Sequence, residues 1–255
     1  MMLGLKKYSE YLTDSSKLLS LPEMKRRHIL PMLICLSKYL GLYEDYKKQL
    51  KSYGIKWSNG DTSFRGFMSI FSKQHNTLPE YFIKIKPHLT ASEFVFVKFL
   101  AVTGLRVSEA IESFNMIIDF YNERKLEEYY DESKQVLEHY KYPKFLRVTK
   151  NAYISFVSPS LIDKICFCDK VSYWALHCKL KRKRIELKFK QVRSYNNSYI
   201  RKNDIILELT DILAGRVPKS VFVRHYLGED MEQLGKRVIG IQKKLDEELF
   251  GQIEA

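Results

Sequence analysis

Residues 94–102, Phe-Val-Phe-Val-Lys-Phe-Leu-Ala-Val, would be apolar on almost every side of a helix. A surface helix keeps one polar face, so a segment of this kind has to be enclosed by other elements. Thr103-Gly104 breaks the run, and Arg106 opens a second helix over residues 107–121. An arginine directly after so apolar a helix must emerge into a cleft or be paired, and Glu109, three residues on, is available as a structural partner. Enclosing such a helix takes a sizeable domain. The chain has 255 residues, 45% of them hydrophobic, enough for two domains with real cores.

Lys and Arg number 43 against 30 acidic residues, a formal charge of +13 that suits a polyanionic partner, either nucleic acid or an anionic membrane surface. The membrane option finds no amphipathic anchor or lipidation motif. The N-terminus lacks the apolar core of a secretory signal, and the apolar stretch at residues 29–36 contains Pro31 and is far short of a span. The chain therefore reads as soluble and cytoplasmic. Cys35, Cys166, Cys168 and Cys178 are too few and scattered for a secreted disulfide framework. Cys166, Cys168, His177 and Cys178 have zinc-ligand chemistry, but a Cys-x-Cys pair and an adjacent His-Cys fit no common zinc spacing, so no metal is expected.

Residues 1–77 read as a helical module. Pro22 and Glu23 start a helix over residues 24–40 that ends at Gly41, and residues 62–74 form another after a turn at residues 57–61. Tyr39, Tyr43, Tyr46, Leu50 and Tyr53 recur at helical spacing and are expected as a buried stripe. Lys25, Arg26, Arg27, Lys47, Lys48, Lys51 and Lys56 lie off it, either as a solvated face or in contact with phosphates. Residues 75–79 are the expected linker, placing the boundary between domains 1–77 and 78–255.

In the second domain, residues 123–142 are charged and tyrosine-rich and read as an exposed helix. Two β-prone runs, residues 145–148 and 153–157, read as a hairpin with Lys150 at its tip, where a lysine is ordinarily just solvated. Residues 179–190 pack seven cations into twelve positions and lead into Lys190-Gln-Val-Arg193. Three apart on a helix, Lys190 and Arg193 share a face and can grip one phosphate, for which the guanidinium fork is better suited than a point charge. Residues 211–228 read as a helix end, a turn at Gly215 and Pro218, and a short basic helix carrying Tyr226 among Arg216, Lys219, Arg224 and His225. Tyrosines at helix ends are usually amphipathic rim residues, yet an attacking tyrosine would need such a cationic surround to favour its phenolate. Met231, Leu234, Val238, Ile241, Leu245 and Leu249 form a further helical stripe, to be buried on its own domain or on a neighbouring protomer.

Taken together, Thr103-Gly-Leu-Arg-Val-Ser-Glu109, Lys190-x-x-Arg193 and Gly215-Arg-Val-Pro-Lys-Ser-Val-Phe-Val-Arg-His-Tyr226, in that order, resemble the boxes of the tyrosine recombinases, most closely the integrases of archaeal viruses and plasmids. The resemblance covers about residues 78–250 well and the first 77 loosely. It implies a mainly α fold with a small antiparallel β-sheet: a helical core-binding domain that clasps DNA, short for the family and without an additional N-terminal segment, followed by the catalytic domain. It implies that Arg106, Lys190, Arg193 and Arg216 hold the scissile phosphate, that Tyr226 attacks it to give a 3′-phosphotyrosine, and that Lys150 protonates the leaving 5′ oxygen. Lys190 stands where the commoner pattern has His, and Arg216 where many relatives have His or Trp, which leaves the proton-transfer roles of these two open. The partner implied is double-stranded DNA at recombination sites, bound by a homo-oligomer, a tetramer, in a host cytoplasm, with no cofactor, metal or ATP. Two alternatives share parts of this pattern: a type IB topoisomerase, and a silent sequence-specific DNA-binding relative. The C-terminal stripe favours the oligomer over the topoisomerase, and the full set of boxes argues against the silent relative.

Overall fold

The computed structural model describes residues 8–55, 78–147, 151–217 and 230–254, with Met68 and Gly228. The chain divides into two compact units, Met1–Lys73 and Gln74–Ala255. Among the described residues no helix is long and apolar enough to cross a membrane.

The first unit contains α1 (Glu10–Thr13), a 3-10 turn over Ser15–Ser20, α2 (Glu23–Tyr39) and α3 (Tyr43–Ser52). Leu18, Leu30, Leu33, Tyr46 and Leu50 form its core. The expected tyrosine stripe is only partly real. Tyr46 and Leu50 are buried, but Tyr39 is 87% exposed and Tyr53 45%. Tyr39 is the last residue of α2 and Tyr53 the C-cap of α3, so neither is held on the buried face by a further turn of helix. Lys47 and Lys48 pair on the surface with Glu44 and Asp45, and Arg27 with Glu23. The helix expected over residues 62–74, the turn before it and Lys56 lie outside the described residues, Met68 excepted. Leu78 and Pro79, expected in the linker, instead begin the first helix of the second unit, where Leu78 is fully buried.

The second unit is mainly helical with a small sheet. In order it comprises α4 (Leu78–Ile85), α5 (Ala91–Thr103), α6 (Val107–Asn122), β1 (Tyr130–Asp131), β2 (Val136–Leu137), β3 (Ser155–Phe156), α7 (Pro159–Cys166), α8 (Tyr173–Arg182), α9 (Phe189–Lys202), α10 (Leu207–Leu213) and α11 (Met231–Glu254). The strands are antiparallel in the order β1-β2-β3, with Tyr130 opposite Leu137 and Val136 opposite Phe156. The apolar helix foreseen at residues 94–102 is α5, started by a Thr90–Glu93 capping box. It is enclosed by α6, α7, α9 and α11. Its one charge within the run, Lys98, is paired with Asp246 of α11 at 3.0 Å.

Two expectations for this unit fail. Residues 123–142 are not an exposed helix. They form a 3-10 turn at Leu126–Glu128, the β1–β2 hairpin and a 3-10 turn at His139–Lys141. Burial overrides the helix-favouring Glu and Lys: Tyr129, Tyr130, Val136, Leu137 and His139 all turn inward. Residues 145–147 do not pair as a strand with residues 153–157 either, and Val148 lies outside the described residues. Pro143 starts a 3-10 turn ending at Phe145, whose ring lies 4.7 Å from that of His139, and β3 pairs with β2 instead. Among the described residues, the Ala152 N–H still donates to the Phe145 carbonyl at 3.0 Å and the Arg147 N–H to Asn151 Oδ1 at 2.7 Å.

α11 settles where the C-terminal stripe goes. Leu234, Val238, Ile241, Leu245 and Leu249 are buried within the chain's own second unit, on α4, α5, α9 and β3. Met231 alone of the stripe is exposed. The stripe therefore gives no support to docking on a neighbouring protomer.

His139 is fully enclosed between Tyr129 Oη, 2.7 Å from Nδ1, and Ser155 Oγ, 2.8 Å from Nε2. With Tyr129 donating to Ser113 Oγ at 2.8 Å, the network is satisfied by the tautomer that carries its proton on Nδ1 and accepts from Ser155 at Nε2. Burial pushes the His139 pKa down to about 3. The fold thus holds neutral imidazole, whereas the unfolded chain takes up a proton below about pH 6.5. This contribution to stability is complete above that pH and is lost as pH falls toward 3, at about 1.4 kcal/mol per pH unit. Denaturant titrations between pH 7 and 5 should show this slope in the wild type. In His139→Gln it should be shallower by about one proton, with lower stability at pH 7.

Candidate active site

The site is built at the C-terminal end of α5. Gly104 ends that helix with φ +61°, a conformation that side chains other than glycine adopt with strain, and its Cβ would lie 2.3 Å from Asn196 Oδ1. Two residues later Arg106 is the N-cap of α6. Its backbone N–H donates to Glu109 Oε2 at 3.1 Å, and its Nη1 donates to Glu109 Oε1 at 2.6 Å and to the Asn151 carbonyl at 3.4 Å. The ion pair foreseen for Arg106 therefore exists. Both side-chain bonds use Nη1, which leaves Nε and Nη2 without an acceptor among the described residues.

Arg193 comes from α9. Its Nη1 donates to the Gly104 carbonyl at 2.8 Å and its Nη2 to the Ala214 carbonyl at 2.9 Å, while Glu109 Oε2 lies 3.9 Å from Nη1. Glu109 is almost fully buried between the two arginines. Ala214 and Gly215 follow α10. Gly215 has φ +75°, and a Cβ there would lie 1.7 Å from the Asn151 carbonyl oxygen, so only glycine permits this approach. Arg216, next along, donates through Nη1 to Asp211 Oδ1 at 2.9 Å and is largely exposed. Backbone at Gly104, Asn151 and Ala214–Gly215 is thus stitched together by Arg106 and Arg193.

Burial, the adjacent charge of Arg106 and that of Arg216 together lower the Arg193 pKa to about 10, against the opposing effect of Glu109. Three cations stand against two carboxylates, Glu109 beside Arg106 and Arg193, and Asp211 beside Arg216. The surplus positive charge is partly desolvated, a setting in which an anion is bound far more strongly than in water.

Of the six candidate residues, the structure gathers Arg106, Arg193 and Arg216. Lys190 lies on α9 one turn before Arg193, exposed and without a hydrogen bond or ion pair among the described residues. Lys150 and Tyr226 lie outside the described residues, as does the basic helix expected over residues 219–227. Their described neighbours are Asn151, whose carbonyl accepts from Arg106, and Val217, just past Arg216.

Sequence reasoning named Glu109 as a partner of Arg106 but missed that it also faces Arg193. It missed Asn196 entirely, although a polar residue in the buried series Phe189, Val192, Asn196 and Ile200 is a detectable irregularity. Among the described residues no group of three His, Cys, Asp or Glu side chains could hold a metal ion. Cys166 is buried, its thiol pushed up to about 11 by desolvation, and Cys168 Sγ contacts the Lys164 carbonyl.

A family model for archaeal phage integrase matches residues 72–236, a span that contains all six candidate residues. No curated protein and no solved structure matches the chain.

Proposed function

The chain belongs to the archaeal phage integrase family, and we propose that it cuts and rejoins double-stranded DNA as a site-specific tyrosine recombinase. The observation that carries this reading is the meeting of Arg106 and Arg193, from separate elements, on one buried carboxylate with Arg216 close enough to add its field. A cluster of that sign, with guanidinium donors left over, suits a phosphate with charge developing on its equatorial oxygens.

In this reading Arg106, Arg193 and Arg216 clamp the scissile phosphate, and Lys190 adds charge from the first turn of α9. The Tyr226 oxygen attacks phosphorus in line and the 5′ oxygen leaves. One phosphodiester is exchanged for another, and in sum one proton passes from the phenol to the 5′ oxygen, delivered by Lys150 as general acid. Because the 3′-phosphotyrosine conserves the ester bond, the exchange needs no nucleoside triphosphate, and the arginines supply the charge that a metal would otherwise provide. Attack by the 5′ hydroxyl of a second duplex completes recombination. With the apolar stripe of α11 packed on its own unit, assembly of a homo-oligomer on paired DNA sites does not use that stripe.

The direct test is incubation with supercoiled plasmid in EDTA, without ATP, followed by a denaturing gel. A protein–DNA adduct blocked at the 3′ end, with a free 5′ hydroxyl, is the expected product. A strict requirement for a divalent metal, or cleavage with no adduct, would reject the mechanism. Relaxation of the plasmid by a monomer that never exchanges strands would favour the topoisomerase reading.

A further inference from the structure

A polar side chain buried under the clamp has no part in the chemistry just described. Asn196, on α9, is 1% exposed. Its Nδ2 donates to the carbonyls of Ala101 and Val102, both at 2.8 Å. These belong to the last turn of α5, where backbone carbonyls have no partner within the helix and must find one elsewhere if buried. Gln242 of α11 adds a bond to the Val102 carbonyl at 3.0 Å, and Arg193 takes the Gly104 carbonyl just beyond.

Asn196 lies three residues after Arg193, so both side chains leave the same face of α9. One enters the last turn of α5 and the other bonds the residue that ends it. The contact is close enough that Gly104 has no room for a Cβ. The orientation of the amide is fixed by its surroundings, because a flipped group would turn its oxygen toward two carbonyls. In this orientation Oδ1 is buried and finds no hydrogen-bond partner among the described residues. Leucine would fill a similar volume without that orphaned acceptor but would leave the Ala101 carbonyl without its donor, so what asparagine adds here is the tie to the end of α5.

We propose that Asn196 is a positioning residue for the arginine clamp: by fastening α9 to the end of α5 it sets the spacing between Arg193 and Arg106 at which both address one phosphate. The proposal rests on the recombinase reading above. Without the two amide bonds α9 can slide or rotate against the α5–α6 turn. A displacement of about 1 Å between groups that act on one phosphate can cost on the order of a hundredfold in rate.

The test compares wild type, Asn196→Leu, Arg193→Ala and the double variant in the EDTA plasmid assay, alongside thermal melting and gel-shift affinity for the same DNA. Asn196→Leu should melt cooperatively and bind DNA like the wild type, yet form the covalent adduct about a hundredfold more slowly. In the Arg193→Ala background it should cost almost nothing further, because the group it positions is gone. Wild-type adduct rates in Asn196→Leu, additive losses in the double variant, or equal losses of binding and cleavage would each overturn the proposal. Should Asn196→Leu fail to fold, Asn196→Ala, which adds no bulk, decides by the same readouts; failure of both to fold assigns Asn196 to stability and also overturns it. A wild type that forms no adduct rejects the recombinase reading itself and this proposal with it, whereas an active wild type matched by Asn196→Leu rejects this proposal alone.

Discussion

Tyr226→Phe should abolish the covalent protein–DNA adduct while leaving DNA affinity within about a factor of two, because affinity in a chain of +13 charge comes from phosphate contacts rather than one phenol. That affinity should fall steeply with salt in both proteins. Arg106→Ala and Arg193→Ala should each slow adduct formation by at least about a hundredfold, the usual cost of losing one preorganised donor to developing charge. Lys150→Ala should lose about 10²–10⁴-fold, as expected for a general acid. These losses differ in kind, and the leaving group separates them. A substrate with sulfur at the bridging 5′ position expels a thiolate that needs little protonation, so it should restore Lys150→Ala and leave the arginine variants slow. Arg193→Lys should recover little, since a single ammonium cannot bond the carbonyls of Gly104 and Ala214 while also serving a phosphate. An adduct that persists in Tyr226→Phe would reassign the nucleophile. Collapse of DNA binding in that variant would make Tyr226 structural.

What could be read from the sequence followed from how local its cause was. The α5 helix was legible because eight of the nine residues at positions 94–102 are apolar and Thr103-Gly104 stops them. Arg106 and Arg193 were legible as candidates because their motifs are short. Their common partner was harder to see: Glu109 sits three residues from Arg106, but its approach to Arg193 depends on how α9 packs across the end of α5. The β1–β2 hairpin was misread because its cause is remote. Tyr130 Oη donates to the Val157 carbonyl, and His139 is held by Tyr129 and Ser155, so these residues turn inward for partners distant in sequence. The tyrosine stripe at residues 39–53 failed at its two ends, since Tyr39 closes α2 and Tyr53 follows α3, where no further turn of helix holds the side chain on the buried face. Asn196 was passed over because a single amide in a helix usually faces solvent, and nothing local shows that it faces two carbonyls.

Removing α11 should unfold the second unit rather than merely weaken assembly. The stripe at Leu234, Val238, Ile241, Leu245 and Leu249 is joined by Ile239 and Phe250, all of them buried within that unit. At about 1.5–3 kcal/mol for each large apolar side chain, their exposure would cost on the order of 10–20 kcal/mol, which matches or exceeds the whole stability of an ordinary domain. Polar bonds would go as well. Gln242 Nε2 joins the Val102 carbonyl of α5 to the Phe156 carbonyl of β3, both at 3.0 Å, and Lys98 would lose the carboxylate of Asp246 within the core. A chain ending at Gly228 should therefore lose the cooperative thermal transition of its second unit, and with it site-directed binding and cleavage. Phe250→Ala is the graded version. Its ring lies 4.6 Å from that of Phe82 and 5.8 Å from that of Phe94, and its loss should cost about 3–5 kcal/mol while leaving a folded protein with a lowered melting temperature. If the truncated chain instead melted like the full chain and bound single DNA sites normally, α11 would be dispensable to the fold. A role between protomers would then be the better account of its apolar face.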